Sequence, residues 1–174
     1  MAEARRLIVL RHAKSAWPAD VDDRDRPLAK RGLRDAPAAG LWLRDAGRIP
    51  DLVLCSPAAR TRQTWELAAE QLPMPPPVRH DGRLYGAAAA DLLTVVQETP
   101  DAVRTVLLVG HSPAVQELVL LLAGEARGDG LERAREKFPT CALAVLARQG
   151  TWPEFAPRSA VLTDFEVARG ARGG

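Results

Sequence analysis

The chain lacks the features that would anchor it in a membrane, staple it or divide it. No apolar run approaches the roughly 20 residues that a membrane-spanning helix needs. Arg5 and Arg6 are followed by only four apolar residues, Leu7 to Leu10, before the next charge, which reads against a signal peptide. Cysteine is scarce: Cys55 and Cys141 each sit in an apolar, strand-like context, so two buried free thiols are expected rather than a disulfide or a metal pair. Blocks of one charge are also missing. The 24 basic residues are scattered among 22 acidic ones, for a net charge of +2, which gives no support to nucleic-acid or membrane-surface binding. No stretch reads as a linker, and 174 residues with 47% hydrophobic content suffice for one packed unit. The expectation is a cytoplasmic protein with a single domain over residues 1–167 and a frayed, glycine- and arginine-rich tail over 168–174.

What the chain does have is a run, Leu7 to Ser15, that reads Leu-Ile-Val-Leu-Arg-His-Ala-Lys-Ser. Four consecutive large apolar residues without alternation fit a strand covered on both faces, as in a parallel sheet between helices. Arg11 and His12 then fall at its carboxyl end, the edge where open α/β sheets bind ligands. Alone, a strand that merely ends in polar residues explains this dipeptide equally well. The same device recurs, however, in Asp51 to Pro57 and Thr105 to Pro113, two apolar runs that each end in Ser-Pro. Serine favours the N-cap and proline the first helical position, so each run is predicted to pass directly from strand into helix. Arg60 then lies about one turn inside one helix, and His111 just before the cap of the other. Three strands thus deliver Arg11, His12, Arg60 and His111 to one rim, beside two helix N-termini whose free N–H groups favour an anion. That set suits phosphate.

Along the rest of the chain, Ala16 to Pro27 reads as a polar loop long enough to fold over the site. Its Asp20, Asp22, Asp23 and Asp25 either solvate the surface, the favoured reading, or supply a proton donor. Leu28 to Ala46 carries a helical stripe at Leu33, Ala36, Gly40 and Leu43, with Gly47 as a stop; Pro37 either kinks the helix or leaves Asp35 to cap a fresh start. Helices are predicted over Pro57 to Leu72, Ala87 to Glu98 and Pro113 to Leu122, and an extended segment within Val78 to Leu84. Gly124 to Lys137 reads as a charged connection, Thr140 to Ala147 as a strand, and Thr151 to Val167 as hairpin-like. Strands alternating with helices give an α/β class: a three-layer sandwich with a mostly parallel central sheet flanked by helices.

These residues resemble the histidine phosphatase superfamily, with its phosphoglycerate mutase-like fold. Its Arg-His-Gly signature at the end of the first strand is met by Arg11-His12-Ala13. Its second arginine, after a Ser-Pro, is met by Ser56-Pro57 and Arg60, and its second histidine by Gly110-His111. The stretches Arg-His-Ala-Lys-Ser, Asp-Arg-Pro-Leu and Ser-Pro-Ala-Ala-Arg-Thr-Arg-Gln-Thr look like the SixA branch, associated with removing phosphate from phosphohistidine in proteins. The resemblance implies that His12 is the nucleophile and passes through a phosphohistidine intermediate. Arg11 and Arg60 would grip the phosphate oxygens, and His111 would complete the pocket. Arg11, Arg60, His111 and Ser15 are the implied substrate-binding groups. No cofactor and no metal is implied. The partner would be a phosphorylated protein or a small phosphate ester.

Two departures bear on the chemistry. Ala13 replaces the family's glycine, and Pro18 stands where mutase-like members have an asparagine. The glutamate that mutase-like members use as proton donor has no counterpart in Arg83-Leu84-Tyr85-Gly86-Ala87. Asp20, Asp22, Asp23, Asp81 or His80 would have to fold inward to serve. Without a strong general acid, worth about 10²- to 10⁴-fold, substrates with good leaving groups are favoured: phosphoramidates or aryl phosphates over alkyl phosphates. The other readings are a general small-molecule phosphomonoesterase, a mutase, and a non-catalytic phosphate- or phosphoprotein-binding module. A metal site on His12 and His111 is disfavoured by the adjacent arginines.

Overall fold

The computed structural model describes residues 4–171. Seven strands form one sheet: β1 (Ala4–Arg11), β2 (Leu52–Cys55), β3 (Val78–His80), β4 (Thr105–Gly110), β5 (Ala123–Ala126), β6 (Ala142–Gln149) and β7 (Ala160–Val167). Their order is β3-β2-β4-β1-β6-β7-β5. The β3, β2, β4 and β1 strands run parallel, as do β7 and β5, whereas β6 pairs antiparallel with β1 and β7. The unbroken apolar runs have the cause expected of them. Alternate residues feed opposite cores: Leu7, Val9, Val106 and Leu108 go to one face, and Ile8, Leu10, Leu107 and Val109 to the other. Helices α1 (Lys30–Asp45) and α2 (Ala59–Ala69) cover one face; α3 (Ala89–Gln97), α4 (Ala114–Leu122) and α5 (Gly130–Glu136) cover the other. This is a mostly parallel, three-layer α/β architecture. No helix among the described residues is long and apolar enough to cross a membrane.

Register sets the functional edge. Arg11 pairs with Gly110, and Cys55 with Val109, so β1, β2 and β4 end level with one another. Residues 12, 56 and 111 therefore emerge together.

Several expectations are corrected. The Ser-Pro pairs do not cap their helices: α2 begins at Ala59 and α4 at Ala114. The Ser56 hydroxyl is instead committed to His111. Pro37 lies inside an uninterrupted α1, so Asp35 does not cap a fresh start. Leu33 is exposed, and the buried stripe runs through Gly32, Asp35, Ala36, Ala39, Gly40 and Leu43. Four of its six residues are glycine or alanine, which lets α1 lie backbone-close to its neighbours. A Cβ at Gly40 would sit 2.1 Å from the Ala68 carbonyl oxygen of α2, and one at Gly32 would sit 2.2 Å from that of Lys14. The charged connection after Gly124 contains β5 and α5, elements too short and polar to stand out by periodicity. The expected frayed tail is anchored where it is described. Ala168 N–H donates to the Cys141 carbonyl, and Arg169 and the Gly170 N–H reach the Asp35 carboxylate. A buried carboxylate needs such donors. Residues 172–174 of that tail lie outside the described residues. Cys55 and Cys141 are buried and free, and burial pushes both thiols up to about 12.

The α1–α2 approach yields a first test. Gly40→Ala should lower stability by about 1–3 kcal/mol through overpacking, outweighing the roughly 1 kcal/mol of helix propensity gained. Gly82→Ala, with no atom within 4 Å of its Cβ, should change stability by less than about 0.5 kcal/mol. Thermal unfolding of the two variants compares them directly.

Candidate active site

The four residues at the strand ends meet. His12 leaves β1 with its N–H on the Gly110 carbonyl and its own carbonyl accepting from the Cys141 N–H, so the backbone is pinned on both sides. The next residue, Ala13, donates its N–H to Thr64 Oγ1 (2.9 Å), and that hydroxyl donates to the Arg60 carbonyl (2.7 Å). A single threonine of α2 thus couples the His12 segment to Arg60. The rings of His12 and His111 lie 5.4 Å apart, centroid to centroid.

The tautomer of His12 follows from its partner. Nδ1–H donates to the Ala13 carbonyl at 2.7 Å, and a carbonyl can only accept, so Nε2 is the nitrogen with a free lone pair. Burial, aided by the charges of His111, Arg60 and Arg11, drives His12 down to about 3 despite the opposing Ala13 bond. His111 is likewise held at about 4, mainly by burial. Both imidazoles are neutral at pH 7. His111 Nε2 pairs with Ser56 Oγ at 2.8 Å. When that hydroxyl donates, Nδ1 carries the ring hydrogen.

Each arginine is gripped at one end and left unpaired at Nε. Arg11 Nη1 donates to the Phe138 carbonyl at 2.9 Å. Arg60 Nη1 and Nη2 donate to the Asp23 carbonyl oxygen (2.7 Å) and Oδ2 (3.0 Å). In both side chains Nε is buried and has no partner, and so is His111 Nδ1. A buried polar group without a partner costs about 1–3 kcal/mol. Three such nitrogens around one histidine are strain that an oxyanion relieves, and an Nε/Nη2 edge matches two oxygens of a tetrahedral anion.

The loop after Ser15 does fold onto this rim, as its length suggested. Its 3₁₀ turn, Asp23–Asp25, carries Asp23 to Arg60. The Asp23 carboxylate also accepts from Tyr85 Oη (2.6 Å) and Arg26 Nε (3.1 Å). These bonds, that of Tyr85 foremost, hold it down at about 2. Of the acids considered as proton donors, Asp23 alone bonds to Arg60; Asp81 is tied to Arg83 and His80 is exposed. Ser15 is buried, and its Oγ accepts from Arg26 Nη1 (3.1 Å), so it supports that arginine. Arg26 in turn stacks over the exposed Trp17 at 3.5 Å. Sequence reasoning missed Tyr85, Arg26 and the Ser56 hydroxyl as site components. The Asp-Arg-Pro-Leu stretch contained Arg26, but nothing in its spacing said where the guanidinium would go. Among the described residues, no three His, Cys, Asp or Glu side chains gather in a way that could hold a metal ion.

The family model of the histidine phosphatase superfamily (branch 1) matches residues 7–89. An uncharacterized protein of Mycobacterium tuberculosis is 44% identical over 162 residues, which cover 92% of this chain and all of that relative. A candidate phosphohistidine phosphatase SixA from Nakamurella multipartitia is 34% identical, with a TM-score of 0.85 over 96% of this chain and 98% of that one. Its counterpart from Agrobacterium tumefaciens is 31% identical, with a TM-score of 0.76 over 93% and 97% of the two chains.

The depressed histidines make stability depend on pH with a definite sign. In the unfolded chain each takes up a proton near pH 6.5, whereas in the folded chain they do so only near 3 and 4. Between those limits the unfolded state binds more protons. Stability should therefore fall as pH drops from about 6.5 to about 4, by up to about 1.4 kcal/mol per pH unit for each histidine. Urea unfolding at pH 7, 6 and 5 should show this decline, and His12→Gln/His111→Gln should flatten it.

Proposed function

The chain belongs to the histidine phosphatase superfamily, in its SixA-like branch, and from that premise we propose that it hydrolyses phosphohistidine in a protein through a phosphohistidine enzyme intermediate. The observation that carries this reading is the set of three buried, unpartnered nitrogens, Arg11 Nε, Arg60 Nε and His111 Nδ1, around a neutral His12 whose Nε2 is free to attack. Phosphoryl transfer asks a protein mainly for positioning and charge stabilisation, which two clamped arginines supply. His12 Nε2 forms the bond to phosphorus as the leaving group departs. Water then attacks the phosphorylated imidazole and releases phosphate, returning His12 to its starting tautomer. A neutral nucleophile needs no deprotonation at any pH above about 4, so the acid side of the rate profile is set by the substrate.

Asp23 has a positioning role here. It engages Arg60 end-on and leaves Nε unpaired, and a carboxylate held at about 2 is a poor proton donor at neutral pH. That supports a leaving group which departs without much help. The imidazole of phosphohistidine is such a group, since the ring nitrogen not bonded to phosphorus can arrive already protonated and the ring then departs neutral. The names of the similar SixA proteins support the same substrate class. So does Trp17, stacked on Arg26, three-quarters open to solvent and available to a protein surface. A general small-molecule phosphomonoesterase is the second reading, and the substrate profile separates the two.

Phosphate release should be measured without added metal from a phosphohistidine peptide, an aryl phosphate and an alkyl phosphate. The peptide and the aryl ester should turn over, with the alkyl ester slower by at least about 10²-fold, the scale of missing acid catalysis. His12→Ala should abolish turnover of both good substrates; a wild type that binds phosphate but turns over neither substrate would make the protein a binding module. Asp23→Asn should leave the aryl-to-alkyl ratio unchanged, whereas a selective loss on the alkyl ester would make Asp23 the acid. Asp23→Ala should raise KM several-fold by releasing Arg60.

A further inference from the structure

Near the candidate phosphate site lies a second feature that the proposed chemistry does not use. A cleft of about 480 Å³ is lined by Arg31, Arg34, Asp35, Lys137, Arg169 and Gly170. Four cations face one carboxylate there, a greater excess than the +2 of the whole chain, so the cleft concentrates positive charge that the rest of the surface cancels. Its single acid is already answered. Asp35 is 2% exposed, and its oxygens accept from Arg31 Nε (3.4 Å), Arg169 Nη1 (3.3 Å) and the Gly170 N–H (2.9 Å). Arg34 and Lys137 are exposed and make no ion pair among the described residues. The buried Asp35 orders two arginines and Gly170 around the cleft, while two further cations stay available to an incoming ligand.

The cleft adjoins the phosphate site through shared backbone. Lys137 immediately precedes Phe138, whose carbonyl holds Arg11 Nη1. Arg31 Nη2 reaches Thr140 Oγ1 at 3.4 Å, and the next residue, Cys141, donates its N–H to the carbonyls of Arg11 and His12. On the α1 side, Gly32 packs against the carbonyl of Lys14, two residues past His12. These contacts tie the lining of the cleft to the segments that carry Arg11 and His12.

We infer that this cleft binds an acidic segment next to the phosphorylated residue of the protein substrate, an inference that rests on the phosphatase reading above. The chemistry favours carboxylates. Arginine pairs with them bidentately, the volume takes several side chains rather than one small ion, and no aromatic ring lines the cleft to stack nucleobases.

The test has one arm that needs no catalysis. A fluorescein-labelled, non-phosphorylated glutamate-rich peptide is titrated by anisotropy at low and moderate salt against the wild type and Arg34→Glu/Lys137→Glu. Both positions are exposed and outside the phosphate site, and circular dichroism checks the fold. Arg34→Gln/Lys137→Gln provides a milder second variant. The wild type should bind, more weakly as salt rises. The charge-reversed variant should lose at least tenfold, and the glutamine variant should fall between. In the kinetic arm, a phosphohistidine peptide with acidic flanks should show a KM about tenfold below that of one with neutral flanks. The reversed variant should erase that gap while aryl phosphate turnover stays unchanged. Equal KM values together with no peptide binding would overturn the inference. So would a single-stranded RNA oligonucleotide that binds more tightly than the peptide and is lost in the same variant. If the wild type turns over no phosphorylated substrate yet binds the acidic peptide through Arg34 and Lys137, the phosphatase reading fails and the acidic-peptide cleft stands.

Discussion

The structure depends on keeping two guanidinium groups and two imidazoles desolvated at one edge of a sheet. Removing such groups from water is unfavourable unless they are paired or neutral, and the fold meets this demand differently for each type. The histidines give up their protons. The arginines keep their charge and are tied at one end, Arg11 to the Phe138 carbonyl and Arg60 to Asp23. What remains unpaired, the two Nε atoms and His111 Nδ1, is the part an oxyanion completes. Stability and binding are therefore opposed at this rim, and the packing elsewhere supports the residual strain.

That support comes from the parallel strands and from α1 and α2. Level strand ends align Arg11 with Gly110 and Cys55 with Val109. The small-residue face of α1 lets it press against α2 and against the segment after His12. Thr64 then joins the two elements that carry Arg60 and His12. The same close approach brings Arg31, Arg34 and Gly170 around Asp35, so the geometry that stiffens the His12 rim also builds the basic cleft. The candidate site and the basic cleft are two consequences of one packing arrangement.

The α/β class, the order of the major strands and helices, and the meeting of Arg11, His12, Arg60 and His111 were legible in the sequence. Unbroken apolar runs ending in polar residues are a local signal with a direct cause, burial of both sheet faces. The Ser-Pro pairs marked the strand-to-helix passages correctly but misassigned the serine. A hydroxyl can cap a helix or pair with a side chain, and local sequence does not say which; His111, 55 residues away, decides it for Ser56. The anchored tail was equally hidden, because Asp35 and Gly170 are 135 positions apart. Glycine and arginine at a chain end read as frayed until a buried carboxylate is found waiting for them.

The sequence by itself determined which residues stand at strand ends, because alternating and continuous hydrophobicity report burial, which acts on neighbours along the chain. Only the tertiary structure decided their chemical states. The free nitrogen of His12, the low protonation of both histidines, the bonding of Asp23 to Arg60 and Tyr85, and the gathering of Arg31, Arg34, Lys137 and Arg169 all arise from distances between segments remote in sequence. Electrostatic energies and hydrogen bonds depend on those distances and on the exclusion of water, and neither is encoded in local pattern.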